Sequence, residues 1–313
     1  MIDFNSGTEI PNRFRGAEKK TTILYNNELY MIKYPDPIRG TKLLGALSYK
    51  NNQYSEYIGC EIFRACGFVT QDVVLGNFTD TEGKNKIVAG CKIFTNDNTQ
   101  LIEFKMISNQ EKVNDGEPGL DLARVLSLIE SSRFIDDKAA VRGIFWDMFV
   151  IDALIGNRDR HLGNFGMLEK GGKLEFAPIY DCGSSLCALL NDDSMAAQYE
   201  NNDKFYRDLK ITEYNITSFY TRDGKKIFYH EIFKNPPEEL AAAILRIVPK
   251  INMAVIHDIV DNTPTMSDMR KTYLKAAMDL RYNEIIEPSF KRLSKIHRSY
   301  EPLENVIDKA IFE

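Results

Sequence analysis

The chain has 313 residues, of which 43% are hydrophobic and 27% are charged, and its formal net charge at pH 7 is −5. This composition is that of a globular protein of about two domains and excludes a disordered or fibrous chain. The negative charge argues against nonspecific binding to nucleic acids or anionic membranes. No apolar run approaches the roughly 20 residues that a membrane helix needs. The polar N-terminus lacks the pattern of a secretory signal, so we expect a cytoplasmic protein, with delivery to a host cell left open.

The five cysteines agree with that location. Their number is odd and no pair has the C-x-x-C spacing of a metal or redox site. These features favour reduced, buried thiols over a disulfide framework or a zinc centre.

The first 94 residues predict a small β-rich lobe with one helix. Residues 21–24 and 28–33 are short β-prone runs on either side of Asn26-Asn27, which is a hairpin signal. Residues 55–67 have helical spacing of apolar side chains and end at a glycine. Two further strands are predicted over 73–78 and 86–94.

Residues 95–313 predict a larger lobe that is mainly helical. Helices are predicted over 120–129 and 137–154, and the second begins with acidic residues that suit the positive end of a helix dipole. Short strands and a turn at Asp181 follow, and from Pro237 onward the pattern is almost entirely helical. The predicted fold is therefore α+β, with a small β-rich lobe followed by a larger, mainly helical lobe.

The segment from Asp159 to Asp181, which follows the predicted helix 137–154 in the larger lobe, carries the residues that point to a chemical function. Asp159 is followed five residues later by Asn164 and 22 residues later by Asp181, which begins an Asp-Cys-Gly turn. Phosphoryl transfer needs a carboxylate that orients the attacking hydroxyl and oxygen ligands that hold magnesium on the phosphates. The order and spacing match the kinase catalytic loop and its D-x-G turn, which predicts transfer from ATP with Mg²⁺.

Each of these residues also has a structural interpretation. Asn and Asp favour turns, Asp181 is a candidate helix N-cap, and His161 is a candidate core histidine. We retain His161 as a candidate nucleotide-binding residue beside that alternative. The catalytic interpretation rests on the joint pattern, because type, order and interval all agree.

The small lobe should provide a lysine and an acidic partner. Lys33 ends the apolar run Tyr30-Met31-Ile32, as does the lysine of the V-A-I-K strand that contacts nucleotide phosphates in kinases. The predicted helix offers Glu56 and Glu61 as partners, and we favour Glu56. A surface lysine at a strand end is the alternative for Lys33.

A phosphate loop is predicted just before the first strand. It contains Gly16 and Ala17, followed by Lys19 and Lys20, and has one glycine where the kinase loop G-x-G-x-x-G has three. Backbone amides of such a loop can still cradle phosphates, with the two lysines assisting.

These residues carry a resemblance to a known family. The run from Gly156 to Asn164, followed by Pro178-Ile179-Tyr180-Asp181, resembles the HipA family of bacterial serine/threonine kinases, and the segments around Gly16, Lys33 and Glu56 resemble it too. The resemblance covers nearly the whole chain. Phosphatidylinositol kinases share a D-R-H-x-x-N segment followed by D-x-G, so the motif is more specific to the kinase clan than to one substrate.

The resemblance implies a two-lobed kinase that binds ATP and magnesium. It implies Asp159 as the catalytic base, Asn164 and Asp181 as magnesium ligands, and Lys33 as a phosphate contact. Residues Lys92 to Phe94 are implied to form the hinge against which adenine lies.

Two departures from the HipA pattern limit what the resemblance implies. Arg13 occupies the place of a serine whose autophosphorylation inhibits HipA toxins, and the N-terminal subdomain of those toxins is not seen before the phosphate loop. An antitoxin partner therefore stays open without being implied.

The leading hypothesis is an ATP-dependent kinase acting on Ser or Thr of a protein substrate, with no nucleic-acid or membrane partner. Autophosphorylation is expected on the side of Ser184 and Ser185. The alternatives are a lipid or small-molecule kinase, and a catalytically inactive kinase fold used for binding. The presence of Lys33, Asp159, Asn164 and Asp181 together argues against the inactive fold.

Overall fold

A computed structural model describes residues 1–11, 20–35, 51–80, 82–110, 120–211 and 213–297. The strands that these residues form are β1 Ile2–Asp3, β2 Thr8–Ile10, β3 Lys20–Tyr25, β4 Glu28–Lys33, β5 Val73–Thr79, β6 Asn85–Lys92, β7 Thr99–Glu103, β8 Leu120–Asp121, β9 Gly166–Lys170, β10 Lys173–Phe176, β11 Ile216–Tyr220 and β12 Lys226–Phe228. The α-helices are α1 Asn52–Ala65, α2 Phe104–Gln110, α3 Leu122–Ser131, α4 Lys138–Ile155, α5 Asp192–Tyr199, α6 Asn202–Lys210, α7 Tyr229–Lys234, α8 Glu238–Ile247, α9 Met253–Asp261 and α10 Asp268–Arg281.

The N-terminal part is a six-stranded sheet with the order β1-β5-β6-β4-β3-β2. Only β1 and β5 pair in parallel, and the other neighbours are antiparallel. The β3–β4 hairpin turns at Asn26 and Asn27, whose φ angles of 49° and 62° suit the type I′ turn that asparagine favours. The predicted hairpin is confirmed, and the register between β4 and β6 places Lys33 beside Ala89.

Helix α1 packs on this sheet and carries the acidic partner of Lys33. It spans Asn52–Ala65, so it begins three residues before the predicted start. Gly67 follows the helix with φ of 89°, the left-handed conformation that ends helices at glycine. The apolar side chains of Ile58, Ile62 and Phe63 are fully buried between the sheet and the C-terminal part.

Helix α4 forms the centre of the C-terminal part. Asp137 caps its N-terminus by accepting a hydrogen bond from the Ala140 amide, and Gly156 ends it with φ of 63°. The continuous burial of residues 148–155 explains why the last two turns of the helix are almost entirely apolar. Its last turn leads directly into the segment that contains Asp159, so the core determines where that segment begins.

The ends of two further elements differ from the predictions. Strand β6 ends at Lys92, so Phe94 follows the strand instead of lying on it. The predicted helix over 120–129 begins at Leu122, because Leu120–Asp121 pairs with β11 as a short parallel strand and Asp121 then caps the helix. Both are errors of two residues at element ends, where tertiary pairing overrides local propensity.

The C-terminal region is helical as predicted. After α10 the chain passes through a π-helical turn at Tyr282–Ile286 and continues as helix over 287–297. In the described part of the chain, no single helix has the length and apolar character to cross a membrane. Helices Glu238–Lys250 and Met253–Asp261 meet those criteria only when taken together, and they are bent by 66°.

The five cysteine side chains are all free thiols and all buried, namely Cys60, Cys66, Cys91, Cys182 and Cys187. Burial raises the pKa of Cys66 to about 11. The prediction of reduced, buried thiols is confirmed.

Candidate active site

A buried lysine joins the two parts of the molecule. The Nζ atom of Lys33 lies 3.0 Å from Oε2 of Glu56 and 2.9 Å from Oδ1 of Asp181. Lys33 and Glu56 are both buried, whereas the Asp181 side chain is 32% exposed. Glu56 is therefore the partner of Lys33, and Glu61 instead forms an ion pair with Arg64 on the outer side of α1.

The electrostatics of this triad favour the charged forms. Burial alone would lower the pKa of Lys33, but the carboxylates of Asp181 and Glu56 raise that pKa well above its ordinary value. Burial likewise opposes ionisation of Asp181, and the Lys33 ammonium lowers the Asp181 pKa nonetheless. Lys20 contributes in the same direction. An ammonium held between two carboxylates is the arrangement that positions a lysine for nucleotide phosphates in kinases.

The turn that begins at Asp181 is conformationally special. Asp181 has a φ of 59°, a left-handed conformation that asparagine and aspartate tolerate better than other non-glycine residues. Residues 181–190 form turns without a helix, so the alternative of a helix N-cap is wrong. Cys182 is fully buried against Gly59 of α1, where an added Cβ would lie 2.5 Å from the Cys182 Cβ. This contact fixes the turn against the helix that carries Glu56.

Asp159 and Asn164 lie on the neighbouring loop. The Asn164 side-chain amide donates to the Asp159 carbonyl at 2.7 Å, which holds the two residues together. Asp159 is exposed, and its Oδ2 accepts a hydrogen bond of 3.4 Å from Ser184 on the Asp181 turn. The two segments that the sequence singled out therefore meet around one cleft.

His161 is exposed on this loop, so the alternative of a core histidine is wrong. Its Nδ1 accepts a hydrogen bond from the Gly163 amide at 3.0 Å. The contact stabilises the loop and leaves the other ring nitrogen without a described protein partner.

A buried ion pair between Asp152 and Arg160 stabilises the loop that carries Asp159. The Asp152 carboxylate accepts two hydrogen bonds from Arg160, 2.9 Å to Nε and 3.0 Å to Nη2, and a third from the Asn157 side chain at 2.9 Å. The same arginine donates through Nη1 to the carbonyls of Asn164 and Tyr180. Arg160 therefore ties the loop of Asp159 to the strand that precedes Asp181, and both are anchored to α4.

The oxygen atoms beside the cleft suit magnesium. The amide nitrogen of Asn164 is used by the loop, which leaves its Oδ1 as a ligand, and Lys33 occupies only Oδ1 of Asp181. One carboxylate and one amide oxygen fit a metal that keeps several waters and takes phosphate oxygens as its other ligands. The described residues contain no cluster of three or more His, Cys, Asp or Glu side chains that could hold a metal without a nucleotide.

Only some of the other residues that the sequence predicts to contact the nucleotide are among the described residues. Gly16, Ala17 and Lys19 lie outside the described residues, whereas Lys20 begins β3 in register with Lys33. The amide and carbonyl of Lys92 bond to Asp72 and Gln71, and its ammonium pairs with Glu28. Phe94 is half-buried, and its ring lies 6.1 Å from the Tyr180 ring, on the side that leads to Asp181.

Sequence reasoning missed three residues of the site, namely Asp152, Arg160 and Arg281, whereas it named Ser184 as a candidate for autophosphorylation. One signal was available for Asp152, because it is the only acidic residue in the apolar last two turns of α4. A buried carboxylate there requires a cationic partner. No comparable signal identifies Arg281, which lies 122 residues beyond Asp159.

Comparisons with known proteins agree with the geometry. A family model described as the HipA-like C-terminal domain matches residues 13–255. The serine/threonine-protein kinase CtkA of Helicobacter pylori is 36% identical over 299 residues, which cover 93% of this chain and 88% of CtkA. The crystal structure of the proinflammatory kinase CtkA matches with a TM-score of 0.84 and 34% identity, covering 94% of this chain and 98% of that one.

A more distant match shows the fold alone. HipA of Shewanella oneidensis MR-1, solved with HipB and operator DNA, matches with a TM-score of 0.51 at 16% identity, covering 89% of this chain and 67% of that one. The predicted α+β fold, with a small β-rich part and a larger helical part, is confirmed by the close CtkA match.

The Lys33–Glu56 pair set against the aspartate of a D-x-G turn is characteristic of kinase folds, and the match to CtkA over most of the chain identifies a protein kinase. Within that class, the chain belongs to the HipA-like family.

Proposed function

We propose that this chain transfers the γ-phosphate of ATP, with Mg²⁺, to a serine or threonine hydroxyl of a protein substrate. One observation carries the proposal: the Lys33 ammonium is buried between Glu56 and Asp181 while Asp159 is exposed at the same cleft. The 36% identity to a serine/threonine-protein kinase supports the choice of acceptor.

Each residue has a role in the proposed reaction. Asp159 accepts the proton of the acceptor hydroxyl as its oxygen forms a bond to the γ-phosphorus. The bond from that phosphorus to the β,γ-bridging oxygen breaks, and ADP leaves with the electron pair. Lys33 holds phosphate oxygens and is itself held by Glu56. Asn164 and Asp181 would hold magnesium, which neutralises charge on the phosphates when bound.

The test is incubation of the purified protein with labelled ATP and MgCl₂, together with lysate proteins, followed by mass spectrometry of phosphosites. We expect phosphoserine or phosphothreonine on protein. ATP consumption that needs a lipid or small-molecule fraction would overturn the choice of acceptor. A thermal-shift assay that shows no stabilisation by ATP and MgCl₂ would instead indicate a binding module without activity.

The metal role predicts a conditional effect of Asp181→Ala. In MgCl₂ the variant should bind ATP roughly ten-fold or more weakly, because a carboxylate ligand of the metal is lost. In EDTA it should bind ATP as well as the wild type or better, since a carboxylate beside free phosphates only repels them. Titration calorimetry in both buffers checks this.

The matched control is Asp136→Ala, an exposed aspartate in the loop before α4, which should bind ATP like the wild type in both buffers. Equal weakening of the Asp181→Ala variant in MgCl₂ and in EDTA would remove Asp181 from the metal site.

Autophosphorylation, where it occurs, is predicted at Ser184. Its hydroxyl is partly exposed and touches Asp159, whereas the Ser185 hydroxyl is fully buried and donates to the Cys182 carbonyl at 2.7 Å. Thr21 and Thr22 are also buried. Phosphosite mapping after incubation with ATP and MgCl₂ should find Ser184 modified in the wild type and in Ser185→Ala. Phosphate confined to Thr21 or Thr22 would contradict the assignment.

The proposal also includes the boundary between the two lobes and the cellular compartment of the protein. We place the lobe boundary between residues 94 and 95, which is supported by β6 ending the first sheet at Lys92 and β7 pairing instead with β9. The five free thiols support a reducing compartment such as the cytoplasm.

A further inference from the structure

An arginine beside the active-site loop lacks a counter-charge among the described residues. Arg281, at the end of α10, is 1% exposed. Its Nη2 donates to the Tyr214 carbonyl at 3.1 Å and approaches the Cys187 Sγ at 3.9 Å. Its Nε and Nη1 have no hydrogen-bond partner. Among the residues that the structure describes, no carboxylate forms an ion pair with it. A buried guanidinium in this state is costly, so its retention needs an explanation.

The guanidinium lies against Gly156, where α4 ends. A Cβ at Gly156 would lie 2.5 Å from Cζ and Nη2 and 2.9 Å from Nη1, so only glycine leaves the space that the guanidinium occupies. Gly156 and Arg281 together form one wall of a groove of about 390 Å³. A volume of this size accommodates one or two side chains of a bound polypeptide.

The groove opens at the acceptor side of the active site. Asp159 and Ser184 line it, so an acceptor hydroxyl that reaches Asp159 enters at this point. Arg158 lines it as well, is partly exposed, and forms no ion pair with a described residue. The groove therefore contains two guanidinium groups and one carboxylate, and the proposed reaction uses that carboxylate as the base.

We propose that Arg158 and Arg281 form an acceptor subsite for the carboxylate of an Asp or Glu within about three residues of the phosphorylated Ser or Thr. The inference rests on the proposed function and specifies its substrate class. A guanidinium presents N–H groups in a fork that matches a carboxylate. The carboxylate satisfies N–H groups that the protein leaves unpaired, and it balances the positive charge of the groove. Three extended residues span about 10 Å, so the acidic residue reaches the groove while the hydroxyl stays at Asp159.

The experiment uses serine peptides in matched pairs, with Glu or its uncharged isostere Gln at one position from −3 to +3. For the wild type we expect kcat/KM to be roughly ten-fold or more higher for the Glu peptide at the preferred position, as expected for one charge-assisted contact. A second readout needs no ATP: fluorescence anisotropy of the labelled peptides should show the same preference in binding.

Variants assign the preference to the two arginines. Arg158→Gln is on a partly exposed side chain and should fold normally, and it should reduce the preference to about three-fold or less. Arg281→Gln should do the same, and Arg281→Lys, which keeps the charge without the fork, should be intermediate. The control Arg222→Gln, an exposed arginine in the β11–β12 turn, should retain the full preference. Circular dichroism identifies a variant that fails to fold. If Arg281→Gln fails to fold, the peptide preference of Arg158→Gln decides whether the subsite exists.

Three outcomes would overturn the subsite. One is equal kcat/KM and equal binding of Glu and Gln peptides by the wild type. Another is a preference that survives in a folded Arg158→Gln variant. The third is a preference that appears only in Ser184→Ala, which would assign the groove to a phosphate on Ser184. If the wild type phosphorylates no peptide or protein, the proposed function fails, and the binding readout still decides the subsite.

Discussion

Replacement of Asp159 by Asn is expected to lower kcat by about 10²–10⁴-fold while changing the Kd for ATP by less than about two-fold. The physical reason is that the amide cannot accept the proton of the acceptor hydroxyl, although it has nearly the same shape. The Asp159 side chain is exposed and contacts only Ser184 within the described site, so its loss leaves the Lys33–Glu56–Asp181 triad intact. Steady-state kinetics measures kcat, and ATP titration of the same preparation measures the Kd for ATP.

The control for this variant is Asp136→Asn, which makes the same chemical change at an exposed loop. It should keep wild-type kcat and Kd. Ser184→Ala separates the base from its hydrogen bond, and we expect it to retain most of the turnover. Wild-type turnover in Asp159→Asn would disprove the assignment of the base.

The second large effect is expected from Asp152→Asn. The change removes the negative charge that compensates the buried Arg160 and its network of hydrogen bonds. Breaking one half of a buried ion pair typically costs about 3–5 kcal/mol of the free energy of unfolding. Chemical denaturation followed by the fluorescence of Trp146, the single tryptophan, measures the loss. A solvent-exposed pair is the control: Glu82→Gln, opposite Lys84, should cost at most about 1 kcal/mol.

A double variant separates stability from positioning. Asp152→Leu with Arg160→Met replaces the pair by apolar side chains, which should recover part of the stability lost in Asp152→Asn. It should not recover kcat, because the carbonyls of Asn164 and Tyr180 lose the donor that holds the two catalytic segments together. Full activity in the double variant would show that Arg160 serves stability alone.

The sequence was most informative where chemistry and local backbone preference coincide. Asn26-Asn27 predicted a tight hairpin, and the spacing from Asp159 to Asn164 and Asp181 singled out two segments that are in contact in the structure. The choice between Glu56 and Glu61 could not be made from sequence with certainty, because both lie on one helix and its rotation against the sheet selects the residue that meets Lys33. Tertiary packing decides that rotation.

Long-range partners were beyond the reach of local patterns. Arg281 reaches the active-site groove only because α10 returns to the end of α4, and its contact with Gly156 depends on that crossing. Ser184 follows the predicted turn directly, yet its contact with Asp159 depends on how two loops meet. The short strand β8 was also missed, since a strand of two residues leaves no periodicity to detect.

The distribution of the five buried thiols provides a set of natural reporters of local opening. A thiol must reach solvent and ionise before an alkylating reagent can modify it, so the rate of labelling measures how often its surroundings separate. Cys60 lies on α1, Cys66 directly follows α1, Cys91 lies on β6, and Cys182 and Cys187 lie on the segment that follows Asp181. Mass spectrometry of each labelled peptide, with and without nucleotide, therefore distinguishes separation of the active-site turn from unfolding of the sheet, without an introduced probe.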